Sequence, residues 1–213
     1  MKRTLAIAAV LALALAACKG EKDASKPVAG KVLLEDHFDK KALSGHWKDT
    51  SSGSYTIVDG WLRAQGARNK PLWLRTKLPD DVRIDFKAKS LSEAVDIKVE
   101  VFGDGESFAK SASYTATSYV FILGGWNNTR SIIARMNEHG DDRKERLKPR
   151  GEVGREYSFA ITRKGGRIAW ELDGDSFLSF EDANPLKGPG HEHFAINNWE
   201  SEVYFDDLVI REL

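Results

Sequence analysis

The chain has 213 residues, with 32 basic and 32 acidic side chains, 41% hydrophobic residues and one cysteine. This balance leaves no basic excess to bind nucleic-acid phosphates, which excludes that partner class. A lone cysteine excludes a disulfide framework and a cysteine metal site, so the fold has to stand on its apolar core.

The chain starts Met1-Lys2-Arg3-Thr4, runs without a polar residue from Leu5 to Ala17, and then reaches Cys18. A short basic region, an apolar stretch and a small-residue junction make the layout of a secretory signal. The apolar stretch is shorter than the ~20 residues a spanning helix needs, so it reads as a removable address. The junction Leu15-Ala16-Ala17-Cys18 resembles the lipobox of bacterial lipoproteins. That resemblance implies cleavage after residue 17 and acylation of Cys18, palmitate included, with the membrane as a partner. Two or more acyl chains anchor stably, since each buried CH₂ contributes ~0.8 kcal/mol. The residue after the cysteine is Lys19. By resemblance to enterobacterial lipoproteins, the absence of aspartate there points to the outer membrane over the inner. The expected domains are 1–17 as signal peptide, 18–30 as lipidated cysteine and flexible tether, and 31–213 as one folded domain.

From residue 32 onward the pattern has a period of two, the mark of strands with one buried and one wet face. Val82–Lys89 and Val95–Val101 alternate strictly. Further strands are expected at 32–38, 54–58, 60–65, 71–76, 118–124, 130–137, 156–163, 167–173, 192–199 and 202–211. Asp59-Gly60, Asp104-Gly105, Gly165-Gly166 and Asp173-Gly174 supply turn signals between them. No window carries a long amphipathic helix. The expected fold class is all-β, a two-sheet antiparallel sandwich.

Several segments then carry a resemblance. Leu34–Phe38 with Trp47, Tyr55–Leu62, Tyr119–Gly125, the hairpin 166–174 and the terminal Val203–Ile210 resemble, in order, concanavalin A-like lectin/glucanase domains. Among these the chain is most similar to uncharacterised sugar-utilisation proteins and 3-keto-disaccharide hydrolase-like domains. The resemblance implies a jelly roll, a superfold that hosts lectins, hydrolases, lyases and structural modules alike.

Chemistry-bearing residues are sparse. A glucanase of this fold would carry paired carboxylates alternating along one strand. The nearest run, Glu171-Leu172-Asp173-Gly174-Asp175, lacks the final glutamate and has the chemistry of a tight hairpin turn. His139, Arg143 and Arg146 lie in a charge-dense segment that reads as a solvated loop; Arg135 and His139 are the catalytic candidates if the chain is an enzyme. His191-Glu192-His193 places two histidines on one face without a third ligand and reads as a surface pair. By resemblance to related sandwiches, a structural Ca²⁺ is a candidate cofactor at Glu35, Asp36, Asp206 and Asp207. Asp206-Asp207 equally fits a β-bulge.

Sugar binding requires aromatic platforms and planar hydrogen-bonding side chains. Parity puts Leu72 and Leu74 inward and leaves Trp73 and Arg75 outward. It puts Phe194 and Ile196 inward and leaves Asn197 and Trp199 outward. In 130–137 it puts Ile132, Ala134 and Met136 inward and leaves Arg135 outward. Trp126 sits in the turn with Asn127 and Asn128. The expected carbohydrate-binding set is therefore Trp73, Arg75, Trp126, Arg135, Asn197 and Trp199. The charged rows Arg83/Asp85/Lys87/Lys89 and Asp96/Lys98/Glu100 read as a solvated face of neighbouring strands. If that face is the hollow one, its carboxylates become site candidates. The leading expectation is a membrane-anchored lipoprotein that binds carbohydrate at the cell envelope. A glycan hydrolase or lyase and an envelope protein-interaction module are the alternatives.

Overall fold

The computed structural model describes residues 30–111 and 114–213. The signal segment, Cys18 and residues 19–29 of the tether lie outside these. The strands in chain order are β1 (Lys31–Asp36), β2 (Trp47–Asp49), β3 (Tyr55–Val58), β4 (Trp61–Gln65) and β5 (Leu72–Leu74). They continue with β6 (Val82–Ser90), β7 (Ile97–Gly103), β8 (Tyr119–Gly124), β9 (Arg130–Arg135) and β10 (Lys144–Arg146). The last five are β11 (Tyr157–Lys164), β12 (Arg167–Leu172), β13 (Asp175–Glu181), β14 (His193–Asn197) and β15 (Glu202–Glu212).

These strands form two wholly antiparallel sheets. The first runs β13-β12-β11-β6-β15-β4-β3, with β1 also paired to β15, and the second runs β10-β9-β8-β7-β14-β5-β2. Two-residue turns close the hairpins at Asp59-Gly60 and Asp173-Gly174, whereas Asp104-Gly105 opens the longer connection from β7 to β8. Asp59 and Gly60 have φ of 50° and 77°, and Asp173 and Gly174 have 53° and 84°, the doubly positive pattern that matches strand twist. The acidic run at 171–175 is thus a hairpin, as its turn chemistry implies. Strands β2, β10 and β13 were not expected; the first two are three residues long, too short to show alternation.

The sheets face each other across an aromatic core. Phe86 of β6 stacks on Phe159 of β11 at 4.6 Å between centroids, and Phe159 stacks on Trp170 of β12 at 5.6 Å. Phe121 of β8 meets Trp170 edge-on from the opposite sheet at 6.1 Å. Such contacts add roughly 0.5–1.5 kcal/mol each beyond the area buried. Strand β6 has alternating burial, but every residue of β7 and β8 is buried. Both faces of the second sheet are therefore covered: the inner by the core, and the outer, where Val120, Ile122, Ile132 and Ala134 form a second apolar cluster, by Ala116, Tyr114 and Trp126 packed on it. That cover positions the site.

Two sequence expectations change here. Strands β6 and β7 are consecutive in the chain but belong to different sheets, so their charged rows are not neighbours. In β9, Ile133 joins the main core while Ile132 and Ala134 face outward. With apolar residues on both faces, alternation could not choose the inward one.

Candidate functional site

A cleft of about 650 Å³ opens on the outer face of the second sheet. Lys98 of β7 and Ile122 of β8 line its floor, and Trp126, His139 and Trp199 line its sides. Trp126 lies on a single turn, Gly125–Asn128, in which Trp126, Asn127 and Asn128 have φ of 51°, 55° and 58°. Three successive left-handed residues cost roughly 1–2 kcal/mol each and persist only if the surroundings hold them. Asn128 does so: its amide donates to Gly151 O at 2.7 Å, and its Oδ1 accepts from Gly151 N at 2.9 Å. Trp126 then packs partly buried against the outer apolar cluster, with the His139 ring edge-on at 5.5 Å.

Trp199 is 39% exposed on the turn after β14. Fully buried Asn198 secures this turn, its Oδ1 accepting from Ala67 N at 3.0 Å and its amide donating to Ala64 O at 3.3 Å. A large exposed indole next to an indole-lined hollow is the kind of apolar surface that marks a binding groove.

Under and around the floor lies a charged network that water scarcely reaches. The Lys98 side chain is 2% exposed; its ammonium contacts Glu138 and donates to Asn69 Oδ1 at 2.6 Å. Glu100 is fully buried and accepts from Ser118 Oγ at 2.6 Å, Asn197 Nδ2 at 2.7 Å and the Tyr114 hydroxyl at 3.3 Å. Burial pushes the Glu100 carboxyl up, against the pull of Lys98, Ser118 and Asn197. Burial raises the Tyr114 phenol too, helped by the charge of Glu100. Asp96 lines the cleft, and burial pushes its carboxyl up to about 6, opposed by Lys98 and by the Trp199 N–H that it accepts at 2.8 Å. Three carboxylates, Asp96, Glu100 and Glu138, thus surround one ammonium. In a medium of low effective dielectric, such groups persist only when paired or hydrogen-bonded.

The structure brings together three of the six residues expected to bind sugar. Trp126 and Trp199 line the cleft, and Asn197 lies just beneath it, holding Glu100. Trp73 does point away from the core, as parity requires, but it is 0% exposed. Its indole N–H donates to Ser107 O at 3.0 Å, and its ring lies so close over Gly103 that a Cβ there would sit 2.3 Å from it. Trp73 is a packing residue. Arg75 is exposed away from the cleft. Arg135 turns to the core side, like Ile133, and pairs with Asp182 at 3.0 Å. As a catalytic candidate it falls away for the same reason, whereas His139 stands in the cleft wall. Part of the segment expected to be a solvated loop, Asn137–His139, therefore lines the cleft.

The residues named for a structural Ca²⁺ lie on β1 and β15. Among the described residues no three His, Cys, Asp or Glu side chains gather to hold a metal. Asp36 accepts the Trp47 indole N–H at 2.9 Å, and Asp207 pairs with His37 at 2.8 Å and Lys87 at 3.0 Å. The register slips between Asp206 and Val209, with Asp207 at φ 50°, so this pair forms the β-bulge, and Glu35 does not join it. His191 and His193 bond Thr117 O and Leu74 O, which accounts for both rings. Sequence reasoning missed Asn69, Tyr114, Glu138 and Asn198; only the dense polar run 137–146 hinted at one of them.

No family model matches the chain. It is 26% identical over 158 residues to an extracellular exo-alpha-L-arabinofuranosidase of Streptomyces chartreusis. The match covers 74% of this chain but only 18% of that enzyme. Among solved structures, it superposes on the carbohydrate binding module CBM66 from Bacillus subtilis with a TM-score of 0.59. Identity there is 10%, over 78% of this chain and 96% of the module. The exoplasmic/lumenal domain of VIP36, in its Ca²⁺/Man3GlcNAc-bound form, gives a TM-score of 0.61 at 9% identity, over 84% and 88% of the two chains. The laminarinase catalytic domain of Thermotoga maritima gives 0.57 at 10% identity, over 86% and 98%. The protein is an all-β, concanavalin A-like jelly roll, a fold shared by carbohydrate-binding and glycan-active domains.

Proposed function

We propose that this protein binds carbohydrate through the cleft on the outer face of its second sheet, and that acylated Cys18 holds it at the cell envelope, in the outer membrane. The observation that carries the sugar reading is the presence of Trp126 and Trp199 in one cleft, beside the hydrogen-bonding side chains of Asp96, Asn127, Asn137 and Glu138. Pyranose C–H faces stack on indole while amides and carboxylates bind the hydroxyls. A glycan array with the wild-type protein, Trp126→Ala and Trp199→Ala tests it. Binding to defined glycans that both variants lose by tenfold or more is the expected result; silence across the array ends the reading. For the anchor, Cys18→Ala is expected to release the protein from the membrane fraction, and a variant still lost to the membrane pellet would contradict it.

One observation favours a second reading, glycan cleavage. Asp96 and Glu138 share the cleft in different states: burial raises the first towards neutrality, while the second contacts an ammonium. Carboxyl groups whose environments separate their ionisation are the raw material of acid–base catalysis. Release of reducing ends or unsaturated products from array-positive glycans, abolished in Asp96→Asn and Glu138→Gln, is the outcome that reading requires.

A further inference from the structure

We propose that the cleft prefers glycans bearing a protonated amine, such as free hexosamine oligomers, and that the Asp96 carboxylate receives the ammonium. This rests on the carbohydrate reading above and names the ligand class within it.

The argument is an accounting of partners around the cleft. Glu100 has three donors, from Ser118, Asn197 and Tyr114. Glu138 has the Lys98 ammonium, and Lys98 spends a second proton on Asn69. Asp96 differs: among the described residues it accepts one hydrogen bond, from the Trp199 backbone, and pairs with no cation. The basic groups nearby are committed. Arg130 and Arg143 both pair with Glu145, at 3.1 and 3.3 Å, and Arg68 pairs with Glu200 at 2.8 Å.

The space above Asp96 is therefore a cleft with indole walls and a carboxylate that no cation pairs among the described residues. A uronate or sulfated sugar would bring another anion into a site with a carboxylate excess, and like charges at close quarters are strongly disfavoured. A neutral sugar would leave the imbalance as it is. An ammonium would supply a charge-assisted hydrogen bond to the cleft carboxylate that has neither a paired cation nor a side-chain donor. The position also fits, because Asp96 is bonded to the backbone of the residue whose indole forms that wall. Both residues line the same cleft.

The test is calorimetric titration of the full-length protein in detergent at pH 7.5 with three tetrasaccharides: glucosamine, N-acetylglucosamine and a uronic acid. The expected result is at least tenfold tighter binding of the free amine than of the acetylated form, with the uronate weakest. Asp96→Asn keeps a planar acceptor for the Trp199 N–H and should bring the amine-to-acetyl ratio close to one. Equal wild-type affinities, tighter uronate binding, or an unchanged ratio in Asp96→Asn would overturn the amine preference and leave carbohydrate binding standing. Failure of all three, together with a silent glycan array, would remove both.

Discussion

The outer faces of the two sheets carry similar alternating charged rows and use them in opposite ways. On the first sheet, Arg83 pairs with Asp85 at 2.9 Å, Arg211 with Asp85 at 3.1 Å and Lys87 with Asp207 at 3.0 Å, all with substantial access to water. On the second sheet, Lys98 and Glu100 are almost wholly buried. The local pattern is the same; the cover is not. Residues of the 104–118 connection and of the 136–143 loop close over the second sheet, including Ser107 on Trp73, Tyr114 on Glu100 and Glu138 on Lys98. Water screens the first set to roughly 0–1 kcal/mol per pair. Without it, the second set becomes a network in which removing the ammonium leaves buried carboxylates unpaired.

The sharpest way to break this comparison is Lys98→Met, which removes the only ammonium among three carboxylates. It should cost roughly 3–5 kcal/mol in chemical denaturation at pH 7, because an uncompensated buried charge is left behind. A loss under 1 kcal/mol would mean that the network is as wet as the first sheet's face.

Asp96→Asn should act in the other direction. The unfolded carboxyl titrates near 3.8 and the folded one near 6. Between those pH values the native state holds a proton that the unfolded chain has lost, so wild-type stability falls as pH rises through the window. The variant should therefore be more stable than wild type at pH 7, by at most about 3 kcal/mol, with the gap closing by pH 4. Melting curves at the two pH values check it; a variant less stable at pH 7 contradicts the assignment.

Trp126→Ala and Trp199→Ala should each weaken glycan binding by tenfold or more, about 1.4 kcal/mol. Trp199→Ala should scarcely change the melting temperature, since that indole stands 39% exposed. The smallest effect belongs to the first sheet: Arg83→Ala should shift stability by less than about 1 kcal/mol, and less still in 1 M salt. A large loss there would erase the contrast between the faces.

Much of the framework was legible in the sequence. Strict alternation marked β6, and the Asp-Gly and Gly-Gly pairs placed the turns. Parity in 192–199 correctly sent Phe194 and Ile196 to the core and Asn197 and Trp199 to the other side. It failed for β9, where both faces are apolar, and it sent Trp73 outward without foreseeing the chain that covers it. Lys98 and Glu100 read as solvated because charge ordinarily implies water, and nothing within a few residues of them says otherwise.

The sequence alone determined most of the strands, their tight turns and which way most side chains point, since backbone geometry and hydrophobic period act over two to eight residues. Only the tertiary structure decided that β6 and β7 part into different sheets, that loops roof the outer face of one sheet, and that Asp96, Lys98 and Glu138 meet between Trp126 and Trp199. Those outcomes depend on residues far apart in the chain competing to exclude water from one surface.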